Sequence, residues 1–419
     1  MVFLIFIGIY LRYFVVQYSI VDTPVRADAQ DYYSYAVNMQ EWGVYSNEYK
    51  ASDSPKPDSL RSPGFPSFAY MFYNSNQDIF VKKVIIAQTI LQIFSFSFLF
   101  FVLYRFYGAF VSLIIGWFLW TFPHFVNINI YFLSESLFTS LLASLIGMAI
   151  LSSFSESKKI VYSMSFALLL GIAILVRPTL QYFPIFLFVL FFIYYRKVTY
   201  SSVLILIVSL LPMLMWGVRN ILVIGQWSDP TLMINGLYHG SFPWFMYQNI
   251  PESFGFPYHF DPKASEVYQG IERTLEIIFE RFSADPLNYL SWYLVGKQFY
   301  LWQWSIIAGQ GDIFIYPTTA SPYYGEVVSL FTYSINKYIH LFWLVGAFLG
   351  TVFVVKKIVK KESLNFALIV ISAIFLYAIL IHIIVAPFPR YGIPFKIPAM
   401  IIFAMTASEI IKWIKRKFV

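Results

Sequence analysis

Ten apolar stretches of roughly 17 to 22 residues run through this chain of 419 residues, and they restrict it to a bundle of membrane helices. Apolar residues make up 59% of the chain and charged residues only 12%, whereas about a quarter of a soluble domain is charged. At about 20 residues per span, the length accommodates ten spans and two sizeable loops. The sequence therefore predicts an all-α polytopic membrane protein with a single integral domain over residues 1–419.

The apolar runs predict where the spans lie and which segments connect them. The spans are expected near residues 2–20, 84–103, 107–122, 130–152, 160–176, 180–195, 201–216, 338–355, 365–385 and 396–414. The first begins beside Met1 and no small-residue cleavage site follows it, which favours a retained anchor over a signal peptide. The two long segments between spans, residues 21–83 and 217–337, are neither repetitive nor low in complexity. We expect both to be folded.

Basic residues are distributed unevenly between the two ends of the predicted bundle. If the N-terminus is cytoplasmic, the cytoplasmic segments hold thirteen lysines and arginines, and the short loops opposite hold only Arg177 and Arg390. This bias predicts cytoplasmic termini and places both long loops, with any active site they carry, on the extracytoplasmic face. Asn-x-Ser/Thr sequons are absent from both long loops, which favours a prokaryotic plasma (inner) membrane over the endoplasmic reticulum.

The composition also excludes several function classes. The net charge of +7 follows from membrane topology, so we expect no nucleic acid partner. The chain has no cysteine and therefore no disulfide or thiolate metal site. It has no phosphate-binding Gly-rich loop and no nucleophile elbow, and its five histidines lack ligand spacing. We therefore expect no cofactor, while a divalent metal is left open.

The second long loop contains two predicted interfacial helices. In the first, within Glu266 to Arg281, apolar residues recur at helical spacing at positions 271, 275, 278 and 282, which predicts an amphipathic helix on the membrane face. The second covers Asn288 to Trp304, is rich in aromatic residues and contains one lysine, Lys297. Pro286 separates the two.

Two aspartates stand about eight residues beyond the first span. Asp28 and Asp31 lie at positions i and i+3, so they are neighbours on a helical turn. A carboxylate held there, partly desolvated by Tyr32 and Tyr33, is suited to act as a general base toward an acceptor hydroxyl. The alternative interpretation is a solvated loop aspartate, or the N-cap of a helix over Ala29 to Glu41.

Arginines end several spans on the same side as these aspartates. Each one alone is explained by snorkelling to lipid phosphates, but several at one depth predict a site that binds a phosphate headgroup bidentately. The predicted phosphate-binding residues are Arg61, Arg177, Arg219, Arg390 and Lys297. The predicted substrate-loop residues are Tyr32, Pro63, Gly64 and Tyr391. Arg12, inside the first span, is a weaker candidate for the same pocket.

Glu135 lies near the outer end of the fourth span, at the level of these arginines. Either it pairs with one of them or it only marks the membrane interface. Together with Asp31 it is a possible second acid.

The motifs that carry these residues resemble those of the GT-C membrane glycosyltransferases, in the branch of the protein O-mannosyltransferases and the lipid A aminoarabinose transferase. The acidic first-loop motif is matched by Asp28, Tyr32, Ala36, Gly43 and Tyr45. Arg61-Ser62-Pro63-Gly64-Phe65-Pro66 is similar to the family's Arg-x-Pro-Gly-Tyr-Pro turn, with Phe for Tyr. The other landmarks follow in the family's order as Ser134-Glu135, Arg177-Pro178-Thr179, Trp216-Gly217-Val218-Arg219-Asn220 and Arg390-Tyr391-Gly392-Ile393-Pro394.

The resemblance implies a glycosyltransferase whose donor is a monosaccharide linked to polyprenyl phosphate. It further implies inversion at the anomeric carbon with Asp28 as the base, and a glycan, lipid or protein as acceptor, among membrane lipids. The chain departs from the family in its acidic pair. Many relatives carry Asp-Glu side by side, whereas the second acid here is Asp31, three residues on, so the role of Asp31 and any metal requirement do not carry over.

Two other functions fit the same features. A transporter or flippase of lipid-linked sugars would also place arginines near a phosphate, but transporters carry their charges on broken helices near the bilayer midplane, often in paired repeats. No such repeat is evident in this sequence. A polysaccharide polymerase or ligase would share the outward-facing loops but use a diphosphate-linked donor.

Overall fold

The computed structural model describes residues 2–244, 258, 261–306 and 311–418. Eight helical segments in this part of the chain are long and apolar enough to cross a membrane, and a shorter apolar helix, α1, covers Val2–Tyr18. The longer ones are α4 (Gln77–Thr121), α6 (Ser134–Phe154), α7 (Lys159–Val176), a 3₁₀ turn with α8 (Pro178–Leu180 and Phe183–Tyr195), α9 (Tyr200–Ile224), α15 (Val327–Lys360), α16 (Phe366–Ile384) and α18 (Lys396–Phe418). The predicted fold class is confirmed.

Helix α4 contains two of the predicted spans. Its 45 residues are interrupted at Gly108, which has φ 83° and ψ 178°, a conformation that glycine adopts without the steric cost met by other residues. The two legs correspond to the predicted spans 84–103 and 107–122. With α1 and these two legs, the apolar helices match the ten predicted stretches.

Short elements fill the long connections between the spans. The first connection holds β1 (Ile20–Val21), α2 (Asp28–Glu41) and α3 (Gly64–Tyr70). Between α4 and α6 lie α5 (Pro123–Asn127) and a 3₁₀ turn (Ile128–Ile130). The second long connection holds α10 (Thr231–His239), α11 (Ala264–Val267), α12 (Ile271–Ala284), α13 (Pro286–Ser291), a π turn (Trp292–Gly296), α14 (Lys297–Trp302), β2 (Thr318–Ala320) and a 3₁₀ turn (Pro322–Tyr324). Helix α17 (Pro389–Gly392) joins α16 to α18.

The two helices predicted in the second loop are present with shifted ends. The amphipathic helix α12 begins at Ile271, five residues later than predicted, because Gly270 with φ 135° interrupts the chain before it. Its buried face is formed by Thr274 and Ile277, and the apolar side chain of Phe279 is 71% exposed. Pro286 occupies the first turn of the following helical stretch. Their position at a membrane surface stays a prediction.

A small antiparallel sheet joins the two long loops. Strand β1, directly after α1, pairs with β2, which precedes α15, and Ile20 lies opposite Ala320. The backbone N–H of Asp22 donates to the carbonyl of Pro317 at 2.8 Å. Both long loops therefore meet at the same end of the helix bundle.

Helix α6 lies at the centre of the bundle and α9 at its edge. In α6, 67% of the most apolar 18-residue stretch is buried, against 22% in α9. Helix α6 packs against α4, α7 and α16. Its first turn, which carries Glu135, is therefore enclosed on several sides at the loop end of the bundle.

Candidate active site

Asp28 binds two arginines that are remote from it in sequence. One carboxylate oxygen, Oδ1, accepts from Nη2 of Arg61 at 2.7 Å, and the other, Oδ2, accepts from Nη2 of Arg390. One helical turn later, Asp31 Oδ2 accepts from Nε of Arg61 at 2.9 Å. Helix α2 begins at Asp28 and its N-cap, Ala27, provides no side-chain hydrogen bond. Asp28 is therefore not an N-cap, and its carboxylate is directed to the guanidinium groups.

A second, more deeply buried ion pair adjoins the first. Glu135, in the first turn of α6, accepts from Nη1 of Arg177 at 2.8 Å, and only 3% of the glutamate side chain is exposed. Nε of Arg390 lies 3.9 Å from the same oxygen of Glu135, so Arg390 links the two ion pairs. We call the six residues the acid–arginine cluster: Asp28, Asp31, Glu135, Arg61, Arg177 and Arg390.

The tight turn after Arg61 is positioned by a glycine. A Cβ atom on Gly64 would lie 2.5 Å from the backbone N of Val176 and 2.6 Å from the carbonyl carbon of Leu175. The start of α3 therefore packs directly on the end of α7, immediately before Arg177. Pro63 occupies the N-cap position of α3 with φ −78°. This close approach brings Arg61 and Arg177 to one place.

The backbone of Arg61 is held by Tyr45, which belongs to the first-loop motif, and by Tyr35 and Asp58, to which no sequence pattern pointed. Its N–H donates to the hydroxyl of Tyr35 at 3.2 Å, and that hydroxyl in turn donates to the carboxylate of Asp58. The hydroxyl of Tyr45 donates to the Arg61 carbonyl at 3.0 Å, and the rings of Tyr35 and Tyr45 stack with centroids 4.1 Å apart. No spacing rule points to Asp58, because it lies in an irregular segment 23 residues from Tyr35.

Aromatic rings cover the cluster. The ring of Tyr391 lies 4.8 Å from the guanidinium carbon of Arg177 and 5.3 Å from that of Arg390. The ring of Tyr32 lies 5.5 Å from the guanidinium carbon of Arg61, and the Tyr32 hydroxyl donates to the hydroxyl of Ser134 at 3.3 Å. Such rings stabilise cations at partly desolvated positions. Both predicted substrate-loop tyrosines thus contact predicted phosphate-binding arginines.

Tyr316 is a further neighbour that the sequence reasoning missed. Its hydroxyl donates to the carbonyl of Arg26 at 3.2 Å. Burial raises its pKa, and the charges of Arg390, Asp28 and Glu135 act on it. It comes from the segment before β2, and no motif in the sequence indicates this position.

The pKa values of Asp28 and Asp31 are shifted in opposite directions. Burial alone would raise the pKa of Asp28, but the charges of Arg390 and Arg61 and their hydrogen bonds outweigh it and hold that pKa well below its usual range. Burial raises the pKa of Asp31, and the opposing effect of Arg61 does not cancel it. One guanidinium therefore adjoins two carboxyl groups with different proton affinities, a pattern associated with acid–base chemistry.

Two predicted phosphate-binding residues have other contacts. Arg219 donates to the carbonyl of Asp58 at 3.0 Å and to its neighbour Asn220 at 3.1 Å. It therefore contacts the loop that carries Arg61, and among the described contacts it forms no ion pair with the cluster. The buried Lys297 donates to the carbonyls of Ile383 and Ile384 at 2.8 and 3.0 Å, where a cation is favoured at the end of α16.

Arg12 does not join the pocket for which it was a weaker candidate. It donates to the carbonyls of Leu119 and Trp120 at 3.0 and 3.2 Å, at the end of α4, and to the side chain of Gln92 at 2.7 Å. A buried guanidinium there satisfies carbonyls that have no partner within the helix. The prediction that Arg12 belongs to the phosphate pocket is therefore wrong. Arg12 bonds to the end of α4 instead, and these bonds offset the cost of burying its charge.

The described residues contain no group of three or more histidine, aspartate or glutamate side chains arranged to hold a metal ion. Asp28 and Asp31 are already engaged by Arg61.

The architecture resembles that of solved membrane transferases. The oligosaccharyltransferase of Archaeoglobus fulgidus, tethered to an acceptor peptide with the NVT sequon, is similar with a TM-score of 0.53 over 99% of this chain and 49% of its own, at 11% identity. The apo form of the same enzyme has a TM-score of 0.51 over 99% of this chain and 50% of its own, at 12% identity. The chain has the GT-C fold.

The GT-C likeness rests on architecture, and the chain spans about half the length of the archaeal structures. ArnT from Cupriavidus metallidurans bound to undecaprenyl phosphate has a TM-score of 0.44 over 97% of this chain and 77% of its own, at 10% identity. No protein-family model and no curated protein matches the sequence. The archaeal structures confirm the GT-C fold that the motifs implied. The roles of individual residues stay predictions.

Proposed function

We propose that this chain is a glycosyltransferase that moves a monosaccharide from a polyprenyl-phosphate-linked donor to an acceptor hydroxyl, with inversion, at the extracytoplasmic face of the plasma membrane. The observation that carries the proposal is the acid–arginine cluster, which gathers three guanidinium groups and three carboxylates at the loop end of an apolar bundle. The GT-C fold supports it, since an archaeal oligosaccharyltransferase has this architecture. The acceptor is a glycan, lipid or protein.

In this mechanism the arginines bind the donor phosphate. The cluster holds Arg61, Arg177 and Arg390 within reach of common carboxylates, and planar guanidinium groups bind phosphate oxygens in pairs. Arg219 bonds to the Asp58 carbonyl and the Asn220 side chain, and Lys297 bonds to two backbone carbonyls. We therefore assign the phosphate to the three clustered arginines. The prenyl chain remains among the membrane lipids.

The proposed transfer is a single displacement. The acceptor oxygen attacks the anomeric carbon from the face opposite the phosphate, and the carboxylate of Asp28 takes the hydroxyl proton. The bond between the anomeric carbon and the phosphate oxygen breaks, and its electron pair leaves on polyprenyl phosphate. The arginines stabilise the charge that develops there. The glycosyl phosphate bond is already activated, so the proposed reaction uses no nucleotide.

Reconstituted protein tests the proposal. Proteoliposomes would be supplied with radiolabelled undecaprenyl-phosphate hexoses and a cell-envelope extract as acceptor, and release of undecaprenyl phosphate with labelling of the extract would be measured. We expect Asp28→Asn to lose transfer by about a hundredfold or more, the scale of a lost general base. Asp78→Asn, which alters an exposed aspartate at the start of α4, should retain sugar transfer.

Three outcomes would contradict the proposal. Full transfer by Asp28→Asn would remove Asp28 from the chemistry. Movement of the labelled lipid across the bilayer without a new glycosidic bond would favour a flippase. Exclusive use of undecaprenyl-diphosphate donors would favour a polymerase or ligase.

A further inference from the structure

The resting cluster already contains an anion in the place where the proposed function puts the donor phosphate. The two oxygens of Asp28 bind different arginines, Arg61 and Arg390, through one terminal nitrogen each. These terminal nitrogens are the groups that a phosphate would use. In the described structure the carboxylate therefore occupies the phosphate-binding groups.

We propose that Asp28 and the donor phosphate compete for Arg61 and Arg390, so that arrival of the phosphate releases the carboxylate that then accepts the acceptor's proton. This inference rests on the proposed function and deepens it. It identifies the recognised group as a phosphate ester and makes Asp28 the group with which that phosphate exchanges.

The charges of the cluster favour such an exchange. Three arginines face three carboxylates, so the resting cluster is electrically balanced. A phosphate ester brings an additional negative charge, and all the anions cannot share the same guanidinium groups at low cost in a partly buried site. Glu135 is the most deeply buried of the acids and is held by Arg177. Asp28 and Asp31 each have 26% of the side chain accessible, and of the two only Asp28 holds both Arg61 and Arg390. Asp28 is therefore the acid whose release frees both arginines.

Arg390 also retains an unused donor. Its Nε is buried and has no hydrogen-bond partner among the described residues, since the nearest carboxylate oxygen of Glu135 is 3.9 Å away. A buried N–H without a partner is costly and is rarely left so. A phosphate that replaced Asp28 at Nη2 would have the adjacent Nε available for a second bond, which a bidentate pair requires.

The exchange would also change the chemistry of Asp28. While both arginines hold it, its pKa lies well below the usual range, and so weak a base takes up a proton poorly near neutral pH. Removal of the two positive neighbours leaves burial as the main influence and raises that pKa. Donor binding would thereby prepare the base, which stays weak while the two arginines hold it.

A binding measurement without turnover tests the competition. Purified protein in nanodiscs would be titrated with undecaprenyl phosphate and with undecaprenol, which lacks the phosphate. We expect Asp28→Asn to bind undecaprenyl phosphate roughly tenfold more tightly than wild type, equivalent to about 1.4 kcal/mol. Affinity for undecaprenol should not change. The matched charge control, Asp78→Asn, should bind both lipids like wild type.

A residue that acted only as a base would leave lipid-phosphate affinity unchanged, and one that only supported the fold would weaken it, so either result for Asp28→Asn would overturn the inference. Failure of wild type and variant alike to bind undecaprenyl phosphate would also overturn it. Asp28→Ser, smaller and equally neutral, provides a second test if the asparagine variant does not fold. Failure of the proposed function is distinguishable, because it would appear as absent sugar transfer by wild type while the affinity difference persisted.

Discussion

Asp28 and Asp31 lie one turn apart and contact the same guanidinium, yet their surroundings shift their pKa values in opposite directions. Asp28 is held by two arginines, and their effect exceeds that of burial. Asp31 is held by Arg61 alone, and burial prevails. A difference of one cationic neighbour therefore separates an acid that stays ionised from one that takes up a proton more readily, and this difference is measurable through stability.

The pH dependence of stability should report the Asp28 ion pairs. Its pKa is lowered in the folded state, so the stability it contributes is present above its unfolded value of about 3.9 and is lost as the pH falls below that value. Wild type should therefore lose thermal stability on acidification below about pH 4, and Asp28→Asn should lose less. Unfolding midpoints of the two proteins in detergent would be compared at pH 7 and at pH 3. Parallel losses would show that Asp28 does not carry this effect.

Glu135 should matter for folding more than any exposed acid. Glu135→Ala would leave the buried Arg177 without its partner, and breaking such a pair costs about 3–5 kcal/mol. Glu156 pairs with Lys159 at 3.9 Å and is 90% exposed, so Glu156→Ala should cost about 0–1 kcal/mol. Chemical unfolding of the purified variants checks the contrast. Equal small losses would mean that Arg177 finds another partner, and its place in the cluster would need revision.

At the scale of elements, the site depends on the contact between the start of α3 and the end of α7. Gly64→Ala would force a Cβ into the backbone of Leu175 and Val176, and backbone atoms cannot be relieved by a change of rotamer. We expect α3 to shift, with a loss of about 1–3 kcal/mol. Misplacing Arg61 by about 1 Å should lower transfer by about a hundredfold.

Gly325→Ala is the control for Gly64→Ala. A Cβ on Gly325 meets nothing within 4 Å, so an alanine side chain has room there. This variant should match wild type in thermal unfolding and in sugar transfer. If Gly64→Ala behaved in the same way, the α3–α7 contact would not position the site.

Elements also show how far the sequence reasoning reached. The spans were predictable because their apolar length reflects the membrane thickness, and α4 shows the limit, since hydropathy separates its two legs but does not reveal that Gly108 joins them in one broken helix. The start of α12 was missed because Gly270 interrupts an otherwise continuous pattern. Local backbone geometry set these boundaries, and periodicity does not report it.

At the scale of the whole molecule, the sequence predicted which residues gather at the site but not which of them form contacts with one another. The motifs around Asp28, Arg61, Arg177 and Arg390 indicated residues that the structure brings together. They did not indicate that Lys297 is held at a helix end, because its contacts depend on how distant segments pack. The same limit hid the β1–β2 sheet, whose strands are too short to show an alternating pattern.

That sheet has a consequence for the whole protein, because it requires both long loops to lie on one side of the membrane. The chain contains no cysteine, so a single introduced cysteine reports its own side. Asp53→Cys in the first loop and Glu272→Cys in the second occupy exposed positions. Both should react with a membrane-impermeant maleimide in intact cells. Lys197→Cys, exposed in the short connection between α8 and α9, should react only after permeabilisation, because the excess of basic residues favours the cytoplasm there.

The pattern of labelling separates two errors. If all three positions reacted with the opposite sidedness, the fold would stand, but the proposed extracytoplasmic site would be wrong and the lipid-linked donor would have to be cytoplasmic. If Asp53→Cys and Glu272→Cys reacted from different sides, β1 and β2 could not pair. Asp28 and Arg390 would then have no fixed relation, because Asp28 begins α2, the first helix after β1. Labelling of both loops from outside would instead place the acid–arginine cluster where an extracytoplasmic acceptor can reach it.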